Sequence, residues 1–126
     1  MGAPAALTTP RSAARLIVVG PCGAGKTTLA LSLHALGIQV RQIAQEHSFI
    51  PDLWHRGTPP DVLIFLDASF ETCTKRKRFK WLERDYLEQQ RRLADARAHC
   101  HFYLATDALT PMEVRDRVAA YLRGAG

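Results

Sequence analysis

Apolar residues along this chain fall into two patterns. Residues 16–19 (LIVV), 61–67 (DVLIFLD) and 101–105 (HFYLA) are short runs rich in β-forming side chains, with little polar interruption. Such runs predict strands buried on both faces of a parallel sheet. Residues 38–44 (IQVRQIA) are weakly patterned and predict a further strand, second in chain order. Elsewhere apolar residues recur three or four apart. Leu29, Leu33 and Leu36 share one face of a helix expected over residues 28–36, with Gly37 as its stop. Ser69 can cap a helix carrying Phe70, Cys73, Lys77 and Trp81 at helical spacing, followed by a break near residues 82–85. A further helix then runs through Tyr86, Leu87, Leu93, Ala94 and Ala98. Thr110-Pro-Met-Glu113 combines an N-cap, a proline at the first helical position and a glutamate three residues on. Val114, Val118, Tyr121 and Leu122 give that last helix its apolar face. Residues 45–56 read as irregular or a short helix, and Gly-Thr-Pro-Pro at 57–60 as a breaker.

Strands alternating with helices predict an α/β fold: a three-layer open parallel sheet of about four strands with helices on both faces. Ligands of such sheets bind beyond the carboxyl ends of the strands. The informative positions are therefore residues 20–28, Glu46 and His47, Asp67, and Thr106 and Asp107.

Composition places the chain among ordinary soluble domains, with 126 residues, 47% hydrophobic and 23% charged. That length holds one core without staples but no second full domain, so residues 14–126 are expected as a single domain. Residues 1–13 are small and prolyl and are expected as a disordered lead-in without a signal-peptide core. No apolar run reaches transmembrane length, so no membrane partner is expected. Cys22, Cys73 and Cys100 cannot all pair and lack metal-ligand spacing, which suits a reducing, cytoplasmic setting. Net charge is +5, much of it between Lys75 and Lys80 together with Arg84. Such a patch meets phosphates of a nucleotide, a nucleic acid or an acidic partner.

Residues 16–28 read LIVVGPCGAGKTT, and Gly20, Gly25, Lys26 and Thr27 fit G-x-x-x-x-G-K-[ST]. Between a strand and a helix, this is the Walker A phosphate loop. Glycines let successive N–H groups converge on one anion, aided by the positive end of the new helix. The expected nucleotide cradle comprises Gly20, Pro21, Cys22, Gly23, Ala24, Gly25, Lys26, Thr27 and Thr28. Lys26 would reach the β- and γ-phosphates of ATP, and the Thr27 hydroxyl would hold Mg²⁺. Cys22 reads as a small residue at a variable loop position, although the helix terminus and Lys26 could activate its thiol.

Residues 60–67 (PDVLIFLD) resemble the P-D-x-x-I-x-L-D strand of thymidylate kinases and deoxynucleoside kinases. Residues 102–114 look like the last strand and helix of the same P-loop small-molecule kinases, and the resemblance spans about 15–122. It implies a truncated P-loop NTPase fold, because only residues 46–60 separate the second strand from the Pro-Asp strand. The relatives carry a longer insert there, with a substrate-binding module and a strand ending in Asp-Arg. The resemblance also implies that Glu46 is the catalytic acid, acting as base or holding Mg²⁺ through water. Asp67 is the alternative metal-side carboxylate, which leaves Thr27, Glu46 and Asp67 as metal candidates. Arg76, Arg78 and Arg84 lie where a mobile lid would neutralise charge on the moving phosphoryl.

The leading functional reading is a compact ATP-dependent kinase of a small metabolite, such as a nucleoside or nucleotide. One alternative is a P-loop ATPase or nucleotide-binding regulator whose acceptor site is completed by a second copy or a partner protein. Asparagine is absent from the chain, so the guanine-reading Asn-Lys-x-Asp is missing and ATP is favoured. The other alternative, a nucleic-acid-associated protein using the basic helix and Trp81 for stacking, is the less favoured. Trp54 and Trp81 are candidates either for base stacking or for the core. His99, Cys100 and His101 with His47 lack a well-spaced ligand pair for zinc. His47, beside Glu46, reads as a surface residue or a proton shuttle.

Overall fold

The computed structural model describes residues 14–78 and 80–125; the expected lead-in over residues 1–13 lies outside them. Four strands form one parallel sheet: β1 (Leu16–Val19), β2 (Arg41–Gln42), β3 (Val62–Asp67) and β4 (Phe102–Ala105), in spatial order β2-β1-β3-β4. The helices are α1 (Lys26–His34), α2 (Phe70–Lys77), α3 (Glu83–Arg92), α4 (Ala94–His99) and α5 (Pro111–Ala125). Short 3-10 turns cover Gln45–His47 and Leu53–His55. The expected α/β class and parallel sheet are both present.

Alternation along the central strands sorts the core into two layers. Leu16, Val18, Ile64 and Leu66 face α1 and α5, meeting Leu29, Leu33, Val114, Val118 and Leu122. Ile17, Val19, Leu63 and Phe65 face the other way, onto Trp54, Leu93 and Ala96. Both faces of β1 and β3 are therefore covered, which explains why their sequences read as unbroken apolar runs. Parallel register brings Val19 opposite Phe65, and Asp67 opposite Ala105. The loops that follow β1, β3 and β4 thus open at one edge of the sheet.

Local signals account for most element ends. Gly37 closes α1 in a Schellman arrangement: the Ile38 N–H donates to the Leu33 carbonyl, and the Gly37 N–H to that of His34. Thr110 and Glu113 form the expected reciprocal capping box on α5. The Ser69 hydroxyl accepts from the Thr72 N–H at the start of α2.

Four expectations need correction. The second strand is two residues long rather than 38–44, because Ile38 belongs to the α1 terminus and both strand residues lie exposed at the sheet edge. Leu36 lies beyond α1 and is 54% exposed, so it is not part of the apolar face. The α2 helix stops at Lys77 with Arg78 left-handed (φ 55°), four residues short of Trp81. Arg78 in the left-handed region ends the helical path there, and the cations of the last turn, Lys75, Arg76 and Lys77, suit the negative end of the helix. The next helix starts at Glu83, capped by the Asp85 carboxylate on the Leu82 N–H, and is divided at Leu93 into α3 and α4. No helix among the described residues is long and apolar enough to cross a membrane.

Candidate functional site

Two glycines of the loop after β1 are required by close approach. A Cβ on Gly20 (φ 156°) would stand 2.0 Å from the Leu66 carbonyl oxygen. One on Gly23 (φ 89°) would stand 2.9 Å from the Cα and carbonyl oxygen of Cys73. The loop therefore lies directly against the end of β3 and the α2 backbone, and α1 starts at Lys26.

Arg76 fixes the loop from behind. Its Nη1 donates to the Gly23 carbonyl (3.1 Å) and the Thr106 hydroxyl (2.8 Å), and its Nη2 to the Thr106 carbonyl (2.6 Å). The buried Thr106 hydroxyl is also 2.9 Å from the Ala24 carbonyl. Arg76 thus joins the loop to the end of β4, and its expected role in a mobile lid is corrected to a clamp. Arg78 and Arg84 are exposed, and their side chains form no ion pair among the described residues.

Lys26 turns back over the loop. Its Nζ donates to the Gly20 and Pro21 carbonyls and lies 3.0 Å from Glu46 Oε2. Both side chains are nearly buried, at 11% and 6% exposure. Glu46 Oε1 is buried and has no hydrogen-bond partner among the described residues. An unpartnered buried acceptor normally costs about 1–3 kcal/mol, so this oxygen is available to an incoming proton or cation.

Neighbouring glutamines position these groups. Gln45 is fully buried; its amide donates to the Ile50 carbonyl (2.7 Å), and its oxygen accepts from the Trp54 N–H (2.8 Å). Arg92 donates to the Glu46 carbonyl, which ties the same turn to α3. Gln89 on α3 accepts from the Cys22 N–H (3.0 Å) and donates to Cys22 Sγ (3.3 Å). His47 Nε2 lies 3.4 Å from that sulfur and 3.8 Å from Glu46 Oε2. The Thr27 hydroxyl donates to Gln42 at 3.0 Å.

Asp67 is otherwise engaged. One carboxylate oxygen accepts from the Ala68 N–H and the Gln90 amide, and the other takes the Tyr103 hydroxyl and Arg97. Four donors fill the lone-pair positions of a carboxylate. Asp67 is therefore corrected from metal ligand to structural anion, leaving Glu46 as the carboxylate beside Lys26. The same burial that holds Asp67 pushes the Tyr86 hydroxyl up to about 12, with the Asp67 charge adding to the shift. Burial also tends to raise Asp107, but hydrogen bonds from Thr72 and Ser69 prevail and hold it below the usual carboxylate range.

Beside the loop, a cavity of about 140 Å³ is lined by Ala24, Gly25, Thr28, Leu29, Arg76, Thr106, Leu109, Pro111 and Val114. Neither tryptophan contributes to it. Trp54 is a core residue whose indole N–H donates to Asp95, and Trp81 donates to Thr74 and packs with Phe70 and Tyr86. His99 and His101 engage Asp95 and the Leu63 N–H, so they do not converge with His47.

Residues 20–28 and Glu46 were visible from the sequence. Gln42 and Gln89 were missed, because a polar residue on a strand or helix looks solvated until its neighbours are known. No protein-family model matches the chain, and no curated protein matches it.

Proposed function

We propose that the protein binds ATP with Mg²⁺ through a Walker A loop of the P-loop NTPase type and transfers the γ-phosphoryl to a small metabolite. The carrying observation is the buried pair of Lys26 and Glu46, with one Glu46 oxygen unpartnered at the loop. Phosphoryl transfer is chiefly positioning and charge neutralisation, which requires a cation for the phosphates and a base or metal-side carboxylate opposite it. Nucleotide entry would draw Lys26 from the Gly20 and Pro21 carbonyls toward phosphate and free Glu46.

The donors suit the expected ligand. Thr27 and Glu46 offer oxygen atoms, the type that Mg²⁺ prefers. Bound there, Mg²⁺ would neutralise phosphate charge. The cavity beside Gly25 and Thr28 is lined mainly by apolar side chains together with Arg76 and Thr106, which suits a planar base. Glu46 would accept the proton of the acceptor hydroxyl. Arg78 and Arg84 are exposed cations close in sequence to the Arg76 clamp, and they are the candidates to neutralise transferred charge.

Phe49 favours a second reading, in which another chain completes the site. It is 84% exposed three residues after Glu46, with the Arg92 guanidinium 4.5 Å from its ring centre. An ATPase or regulator covered by a partner there would show slow hydrolysis without an acceptor.

Calorimetry with ATP and Mg²⁺ tests the binding; equal affinity in wild type and Lys26→Ala would overturn it. Transfer of labelled γ-phosphate to a metabolite pool tests the chemistry. Glu46→Gln should abolish transfer while retaining ATP binding. Release of label only as inorganic phosphate would favour the second reading.

A further inference from the structure

We propose that Cys22, Glu46 and His47 form a site for one borderline-soft divalent cation, with zinc the best match. The three residues each offer one ligand atom, and these atoms all lie within 4.8 Å of one another. Cys22 Sγ is 3.4 Å from His47 Nε2, which is 3.8 Å from Glu46 Oε2. Zinc bonds of about 2.0–2.3 Å in tetrahedral geometry separate their ligand atoms by about 3.3–3.7 Å. Two of the three pairs stand near that spacing, and the third lies within 4.8 Å and closes by side-chain rotation.

A second observation points to a ligand. Glu46 is 5% exposed, and its Oε1 is buried with no partner among the described residues while Oε2 holds Lys26. A cation drawn to this carboxylate gives a partner to the oxygen that lacks one among the described residues. The donor set argues the metal's identity. Thiolate, imidazole and carboxylate together suit zinc, whereas Mg²⁺ and Ca²⁺ take oxygen ligands.

The surroundings already orient the ligands. Gln89 holds Cys22 twice, accepting from its N–H and donating to its sulfur. A donor on the sulfur is the kind of outer contact that orients a ligand and tunes metal affinity. Arg92 holds the Glu46 carbonyl, and buried Gln45 anchors the same turn. Binding converts the Cys22 thiol to a zinc-bound thiolate and releases its proton to solvent; His47 binds as the neutral imidazole. Three protein ligands leave a fourth position for water or a small ligand.

The site shares Glu46 with the nucleotide reading, so the test uses the full chain with metal alone, without nucleotide. Titration with Zn²⁺ should give one equivalent bound with release of a proton. Co²⁺ should give the near-ultraviolet thiolate-to-cobalt charge-transfer band. That band should vanish in Cys22→Ser and persist in Cys100→Ser. His47→Ala, a change at an exposed residue, should weaken zinc by at least about 100-fold, more than the loss of an outer contact. Alkylation of Cys22, followed by mass spectrometry of its peptide, should slow when Zn²⁺ is added. A thiolate band that survives Cys22→Ser, or Cys22 alkylation indifferent to Zn²⁺, would overturn the proposal.

Discussion

Lys26 and Glu46, 20 positions apart in sequence, are joined by a 3.0 Å ion pair at the loop that follows the first strand. With both side chains close to buried, removing one partner strands the other charge in a poorly hydrated place. Lys26→Met should therefore destabilise the fold by about 3 kcal/mol in urea or guanidinium unfolding. Lys26→Met combined with Glu46→Leu should recover most of that loss, since well-packed apolar pairs often replace buried ion pairs without cost. A double variant no more stable than the single would show that the ion pair is not the source of the loss.

Gly20 and Gly57 should respond differently to alanine. Gly20 faces the Leu66 carbonyl, where a Cβ would approach to 2.0 Å, so Gly20→Ala must shift the loop or β3. A loss of about 3 kcal/mol or more is expected. Gly57 (φ 81°) has open space around it, and Gly57→Ala should cost only the left-handed backbone strain of about 1–2 kcal/mol. Thermal unfolding of the two variants makes the comparison.

The Arg76 clamp links three carbonyls and the Thr106 hydroxyl. Lysine cannot reproduce the guanidinium fork, so Arg76→Lys should loosen the loop nearly as much as Arg76→Ala. Amide exchange should accelerate at Gly23 to Gly25 in both variants while β1 and β3 stay protected. A lysine variant with wild-type exchange would reduce Arg76 to a simple surface cation.

Stability should fall in alkali for a specific reason. Burial raises the Cys73 thiol from 9.0 to about 11, and burial with the Asp67 charge raises the Tyr86 hydroxyl from 10.0 to about 12. The folded chain keeps both protons where the unfolded chain has lost them. Their stabilising contribution is therefore complete below about pH 9 and declines as pH rises through 9 to 12. Denaturant midpoints measured across that range should fall less steeply in Cys73→Ala and Tyr86→Phe than in wild type.

The sequence by itself determined β1, β3 and β4 and several of the helix ends. Runs such as LIVV and VLIFLD admit few places other than a sheet covered on both faces, and that is where β1 and β3 lie. Gly37, Ser69 and Thr110 with Glu113 act through hydrogen bonds to residues within a few positions, so their capping roles were legible locally. The glycine-rich turn between β1 and α1 was legible too, because its glycines and its position between a strand and a helix are local features.

Tertiary structure alone decided the roles of the charged and polar residues. Asp67 looked equivalent to Glu46 as a strand-end carboxylate until Gln90, Tyr103 and Arg97 were found to fill it. Arg76 looked like its neighbours Arg78 and Arg84 until packing set it against Gly23 and Thr106. Cys22, His47 and Gln89 carry no mutual spacing that a motif could reveal; they meet because β1, the Glu46 turn and α3 converge at one end of the sheet. Hydrophobic burial is nearly non-directional and leaves a periodic trace in sequence, whereas a polar side chain's role depends on which donor or acceptor arrives from a distant segment.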